Sequence, residues 1–415
     1  KVNGGKADAL NVGINVSANN YLVCIDVDCI LEQDALLKMV KPFLEQTDKR
    51  VIASGGVVRV ANSCVIEDGR LIKVRLADDY LPRIQILEYI RAFILGRMAW
   101  SRLNGLMLIS GAFGVFDKEI AIKAGGYNHN TVGEDMELVV RMRRYMEEKK
   151  EDYIVTYIPD PLCWTEVPST FQILGRQRNR WIRGTYETLM FHKVMFFNPK
   201  YRVLGMLSYP YWFFFELCAP IIEFIGFIFF VIFAWNGFLN WSFFFSFFLF
   251  IICFGYLYSA FAILMEVLSF NQYKRRIDIF RLLLTGMTEP FYYHPFVVWS
   301  AIKGYLDLLK KKKGWGEMTR QGFAKKKAVP ILIPEPGTLQ PAMAGVSAAP
   351  VSAPQNLKTG EENEKPVWIM ERTVIPAINR VVSFISKSLG YYISRALVLL
   401  ALLIGMRAFE LIYET

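Results

Sequence analysis

Tyr21-Leu22-Val23-Cys24-Ile25-Asp26-Val27-Asp28 is the stretch on which the fold turns. Five apolar residues in a row have the length and character of a buried strand. Two carboxylates one residue apart follow it directly. In an open α/β sheet the carboxyl ends of the strands hold the ligand site. A hard divalent cation asks for oxygen ligands and leaves room for substrate phosphates. Asp26 and Asp28 meet that demand; the alternative is an ordinary acidic loop on a surface.

Working outward, Val51-Ile52-Ala53-Ser54-Gly55-Gly56 and Leu106-Met107-Leu108-Ile109 read as further strands. Between them, residues 81–100 repeat apolar positions with helical spacing (Ile84, Leu87, Ile90, Ile94). Strands alternating with helices predict an α/β domain over residues 1–168 with a mostly parallel sheet. Upstream, Gly4-Gly5-Lys6-Ala7-Asp8-Ala9-Leu10-Asn11 lacks the spacing and the Ser/Thr of a Walker A loop. Lys6 either reaches a nucleotide from the start of a helix or is a solvated lysine.

Gly133-Glu134-Asp135 precedes a helical run through Met136, Val139, Val140 and Met142. A carboxylate at a helix start is commonly a cap. It is also a group that can take a proton from a hydroxyl in a cleft. Farther on, Gln177-Arg178-Asn179-Arg180-Trp181 places Gln177, Arg180 and Trp181 on one helix face. An amide, a fixed cation and a large aromatic there suit either a sugar beside a diphosphate or an anchor at lipid headgroups.

Of the 415 residues, 53% are hydrophobic, and 17 of the 32 phenylalanines lie between residues 209 and 268. No charged residue occurs at 224–265. One span needs about 20 residues, so this segment predicts two, with a turn at Asn236-Gly237 flanked by Trp235 and Trp241. The turn carries no Lys or Arg, whereas Lys200, Arg202 and Lys274-Arg275-Arg276 lie at the other ends. The charge rule then puts the α/β domain in the cytosol of a multi-pass cell-membrane protein. The net charge of +10 comes with no groove-reading motif, which argues against a nucleic-acid partner. The basic clusters suit anionic membrane lipids instead. Six scattered cysteines form no CxxC pair, which argues against a zinc site or a disulfide framework. His129, His192 and His294 show no ligand spacing.

The expected order is therefore the α/β domain (1–168), interfacial amphipathic helices (169–205) and a transmembrane hairpin (206–269). Interfacial or re-entrant helices broken by Glu289-Pro290 and Pro295 follow (270–328), then a Pro/Ala/Gly/Ser-rich linker without packing residues (329–366). C-terminal helices (367–415) close the chain, with a short apolar run at 396–406 that spans only if Arg395 and Arg407 snorkel.

In this order, Gly-Gly-Lys-x-x-Ala-Leu-Asn, Asp-x-Asp, Ser-Gly-Ala-Phe-Gly (110–114), Glu-Asp, Trp-Thr-Glu-Val-Pro (164–168) and Gln-x-x-Arg-Trp resemble the processive family 2 glycosyltransferases, the cellulose, chitin, hyaluronan and poly-N-acetylglucosamine synthases. The resemblance covers residues 1–270. It implies a GT-A nucleotide-sugar domain, a UDP-sugar donor, Mg2+ or Mn2+, and inversion at the anomeric carbon. The acceptor it implies is a growing β-linked polysaccharide, exported as it is made, with an accessory export subunit. The alternatives are a single-addition glycolipid synthase with a lipid acceptor, which shares part of the pattern, and a non-catalytic transport or scaffold protein with a dead transferase domain, against which the intact acidic positions argue. Lys6 is implied at the nucleotide, Asp26 and Asp28 at the diphosphate and metal, and Asp135 as the base. Glu134, Gln177, Arg178, Arg180 and Trp181 are implied around acceptor and diphosphate. Trp315-Gly316 with Arg320 is similar to a late Trp-Gly-x-x-Arg element. Two departures stand out. The family's earlier nucleotide-binding aspartate has no counterpart, so the stretch is expected to be an N-terminally truncated, inactive piece. Gly133 stands where Thr is usual.

Overall fold

The computed structural model describes residues 4–45 and 48–312. The Trp315-Gly316/Arg320 element, the 329–366 linker and the 367–415 helices lie outside the described residues.

Helix α1 (Lys6–Val16) starts after Gly5, whose φ of 85° suits only glycine. Strand β1 (Tyr21–Ile25) ends at Asp26, and β2 (Cys29–Leu31) begins just past Asp28. Then come α2 (Ala35–Leu44), β3 (Arg50–Val60) and a small hairpin of β4 (Val65–Glu67) and β5 (Arg70–Lys73). The hairpin turns on Asp68-Gly69, both at positive φ, 49° and 74°, the geometry that Asp-Gly favours. Helix α3 (Tyr80–Tyr89) runs through a π-helical stretch (Ile90–Arg97) into α4 (Met98–Arg102). β6 (Phe113–Asp117), α5 (Lys118–Lys123), α6 (Glu134–Lys149) and β7 (Tyr153–Thr165) complete the α/β part.

The five-stranded sheet has the order β1-β6-β3-β7-β2. It is mixed, which corrects the expectation of a mostly parallel sheet. β6 runs antiparallel to both β1 and β3, and β2 antiparallel to β7; only β3 and β7 are parallel. A buried apolar run carries no sign of strand direction. Leu106-Met107-Leu108-Ile109 is also not a strand; the paired strand starts at Phe113. Leu106, Met107 and Ile109 are nonetheless buried. Gly55 and Gly114 are cross-strand partners, and a Cβ on either would come within 3.2 Å of the Ile109 side chain. Ile109 thus fills a slot that two glycines leave in the sheet.

Helix α7 (Phe171–Phe191) is capped by Thr170, whose hydroxyl accepts from the Ile173 amide. Beyond it, Leu204–Trp235 forms one continuous helical rod of 32 residues, which includes the turn α8 (Tyr209–Tyr211) and α9 (Ala219–Trp235). α10 (Trp241–Ser269) follows, with Asn240 accepting from the Phe243 amide at its start. The rod and α10 are long and apolar enough to cross a membrane by length and composition, and little of their apolar length is buried within the protein. At 29 residues, α10 is roughly 44 Å long against a hydrocarbon core of about 30 Å. Its far end is tied to the sheet by a buried ion pair, Arg59–Glu266.

The apolar segments around Glu289-Pro290 and Pro295 were expected to be separate pieces. They form one 34-residue helix, α11 (Arg276–Leu309), with both prolines inside it. An internal proline costs about 3 kcal/mol, and polar bonds along the helix offset this. Arg83 donates to Thr285 at 3.0 Å, Arg91 to Glu289 at 2.7 Å, and Asn179 to Asp307 at 2.9 Å.

Candidate active site

Four segments converge at the carboxyl end of β1. Lys6 Nζ lies 2.7 Å from Asp26 Oδ1 and 3.3 Å from Glu134 Oε1. The Gly111 amide donates to Asp135 Oδ2 at 3.0 Å, and the Met136 amide to Asp135 Oδ1 at 2.9 Å. A Cβ on Gly111 would sit 3.2 Å from both Asp135 Oδ2 and Lys6 Nζ. The Ser-Gly-Ala-Phe-Gly segment therefore needs its first glycine to pass between these two groups. Asn11 braces the loop before α6: its amide donates to the Tyr127 carbonyl at 2.8 Å and accepts from the Tyr127 amide at 2.7 Å. His129 reaches only Asn11, at 3.3 Å, among the described contacts.

The charge balance at this point is negative. Burial, then the adjacent Asp135 carboxylate, push Glu134 above the ordinary carboxylate range, against Lys6 and Arg180. Burial works against the charge on Lys6, but Asp26, Glu134 and Asp135 outweigh it and hold the ammonium above its usual value. Three carboxylates face two cations, Lys6 and Arg180, which leaves the electrostatics open to a divalent cation. Asp26 and Asp28 supply oxygen donors of the kind Mg2+ and Mn2+ take. Among the described residues there is no group of three or more His, Cys, Asp or Glu able to hold an ion. Asp26 lines the cleft; Asp28 is not among its lining residues.

The cleft has a volume of about 640 Å³. From Lys6, Asp26, Gly111 and Asp135 it passes Arg180 and Trp181 and continues to Glu216, Glu223 and His294. Of Gln177, Arg180 and Trp181, the structure places the last two in this wall. Gln177 is buried and absent from the lining; its Oε1 has no hydrogen-bond partner among the described residues. Its place is taken by Arg178, whose guanidinium is bidentate to Glu88 at 2.8 and 2.6 Å. Burial opposes the charge on Arg178, and Glu88 more than restores it, raising the pKa. Glu88, Arg91, Trp100, Tyr211 and His294 also line the cleft. Sequence reasoning missed them, because each sits inside a helical or apolar pattern with nothing local to mark it. A second cavity, about 840 Å³, opens at the other end of β1 around Tyr21, Phe43, Arg50 and Asp117 and shares no residue with this site.

Gly133 explains the departure from Thr. It packs against Gly184 of α7, and any side chain would strike that backbone.

The model of glycosyl transferase family group 2 matches residues 21–273. A poly-beta-1,6-N-acetyl-D-glucosamine synthase of Staphylococcus epidermidis is 31% identical over 192 residues, 46% of this chain and 41% of the relative. The Staphylococcus aureus (strain COL) synthase of the same name is 30% identical over 188 residues, 45% of this chain and 40% of the relative. The match thus spans about two fifths of the length of these curated relatives. Among solved structures, a mannosyltransferase from Pyrobaculum calidifontis in complex with GDP-Man and Mn2+ is 16% identical. It covers 74% of this chain and 68% of its own, with a TM-score of 0.39, an overlap too low to carry an argument.

Proposed function

Because the chain belongs to glycosyl transferase family group 2, we propose that it is the catalytic part of a membrane-embedded inverting synthase. It takes a sugar from a UDP-sugar and adds it to the growing end of a β-linked polysaccharide. Among donors, UDP-N-acetylglucosamine is favoured by the name of the two relatives. One observation carries the reading: Asp135, held by the Gly111 amide beside the Lys6–Asp26 pair, heads a cleft whose wall is Arg180 and Trp181.

Asp135 takes the proton of an acceptor hydroxyl as that oxygen attacks the anomeric carbon of the donor. The bond from that carbon to the diphosphate breaks, and the sugar's configuration inverts. Trp181 offers a flat face for the acceptor ring. Lys6 and Arg180 receive the charge of the departing diphosphate, an electrostatic contribution commonly worth several kcal/mol. Asp26 and Asp28 would hold Mg2+ or Mn2+, which would supply further positive charge for the leaving diphosphate. Glu134 keeps Lys6 in place. Arg178 lines the wall with its guanidinium held by Glu88, and Gln177 acts behind it.

The Phe-rich surfaces of the rod and α10 support insertion in lipid, since water tolerates no apolar patch of that extent. The basic residues at their domain-side ends support a cytosolic α/β part. The continuation of the cleft to Glu223 and His294 supports export of the product between the helices, with or without a partner subunit.

Full-length protein in membranes, given a panel of UDP-sugars, tests this. A ladder of products from one donor supports the synthase. A single addition to a lipid supports the glycolipid alternative, and no transfer removes both.

A further inference from the structure

Arg178 borders the acceptor wall yet spends its guanidinium on protein. Nη1 donates to Glu88 Oε1 at 2.8 Å and Nη2 to Glu88 Oε2 at 2.6 Å. Nη2 also donates to the Tyr293 hydroxyl at 2.9 Å, and that hydroxyl donates to Glu88 Oε2 at 2.7 Å. The ring of bonds closes on itself and joins α3, α7 and α11. Arg178 is 6% exposed. A diphosphate could reach these nitrogens only by breaking a bidentate pair, so direct contact with donor is not its role.

What the guanidinium presents instead is its flat face. Arg178 Cζ lies 4.1 Å from the centre of the Trp181 ring, inside the range where a cation is held by an indole. Glu88 and Tyr293 fix the plane of the guanidinium, and a fixed plane limits the tilt of the ring lying on it. Trp181 stays 39% exposed and lines the cleft. A simple ion pair would neutralise Arg178 equally well; the Tyr293 hydroxyl adds orientation, and it comes from α11, 115 positions away in sequence.

We propose that Glu88, Arg178 and Tyr293 form a positioning device that sets the tilt of Trp181 for the incoming acceptor sugar and makes that tilt depend on the seating of α11. The inference rests on the acceptor role proposed above for Trp181. Arg178 and Tyr293 are positioning residues in it; neither touches a reacting atom.

The test uses the full-length protein in lipid vesicles with UDP-N-acetylglucosamine and a short β-linked N-acetylglucosamine oligomer. Transfer to the oligomer and hydrolysis of the donor by water are measured side by side. Arg178→Lys keeps the charge and loses the plane; Tyr293→Phe removes one oxygen and keeps the ring. The ratio of transfer to hydrolysis should fall roughly tenfold or less in each, with a higher KM for the oligomer and an unmoved KM for the donor. Neither change should lower the ratio further in a Trp181→Ala background, as expected of coupled residues. Equal losses of transfer and hydrolysis, or losses that add to those of Trp181→Ala, overturn the device. If Arg178→Lys does not fold, Tyr293→Phe decides alone. Wild-type protein that transfers sugar from no nucleotide donor overturns the acceptor reading itself, and the device with it.

Discussion

Gly133 and Gly184 meet backbone to backbone: a Cβ built on Gly133 would lie 2.8 Å from the Gly184 Cα, and one on Gly184 would lie 2.7 Å from the Gly133 Cα. This contact presses the start of α6, which carries Glu134 and Asp135, onto α7, which carries Arg180 and Trp181. The proposed base and the acceptor wall are therefore held at one separation by two missing side chains.

Gly184→Ala should separate them. The added methyl meets backbone, which cannot swing aside, so the helices must part. Overpacking of this kind costs about 1–3 kcal/mol of stability. A misplaced base costs more in rate than in fold, and transfer should drop roughly a hundredfold. Thermal unfolding and initial rates of the full-length variant check this. Wild-type rates would mean that the contact does not set the site.

Asp28→Ala should weaken the metal-dependent part of donor binding, because a hard cation loses an oxygen ligand. Calorimetry of UDP with and without Mn2+ reads the difference. Equal enhancement by Mn2+ in wild type and variant would remove Asp28 from the site, in keeping with its absence from the cleft lining.

The loop between α9 and α10 should face outward. Asn236→Cys in an otherwise cysteine-free chain is expected to react with an impermeant thiol reagent on whole cells. Labelling only after lysis would reverse the topology.

Glu223 and His294 meet at 2.7 Å where the cleft reaches the apolar helices. A carboxylate at membrane depth costs up to roughly 3 kcal/mol on insertion scales and is retained for a partner or a polar path. Glu223→Leu should shorten the polymer or trap it on the donor side, read by sizing product inside and outside vesicles. Polymer of normal length and location would make the pair a packing contact.

Much of this site was legible in order but not in space. The apolar run Tyr21–Ile25 announced a strand by its composition, but it also announced a buried one, and β1 is an edge strand in which only Leu22 is buried while Val23 and Ile25 are exposed. Of the two carboxylates that follow it, Asp26 lines the cleft and Asp28 does not. Gly133 read as a departure, since the residue it abuts is 51 positions away in sequence at Gly184. The Glu88–Arg178–Tyr293 ring was invisible for the same reason: its members are 90 and 115 positions from Arg178. The partner of Arg178 could not be read from sequence, because guanidinium chemistry is the same whether it meets phosphate or Glu88. The prolines of α11 overstated a break, because helix propensity is local and the bonds to α3 and α7 are not. Ile109 and Phe113 both belong to apolar runs, and only the Gly55/Gly114 pairing shows which run joins the sheet.

The central claim is that Asp135 is the base, and Asp135→Asn in the full-length protein tests it most directly. The amide keeps the shape and the bond from the Gly111 amide but cannot take a proton. Transfer, followed with labelled UDP-N-acetylglucosamine, should fall by roughly a hundredfold or more while UDP binding stays within about twofold of wild type. Turnover close to wild type, with product of the same linkage, would contradict the account.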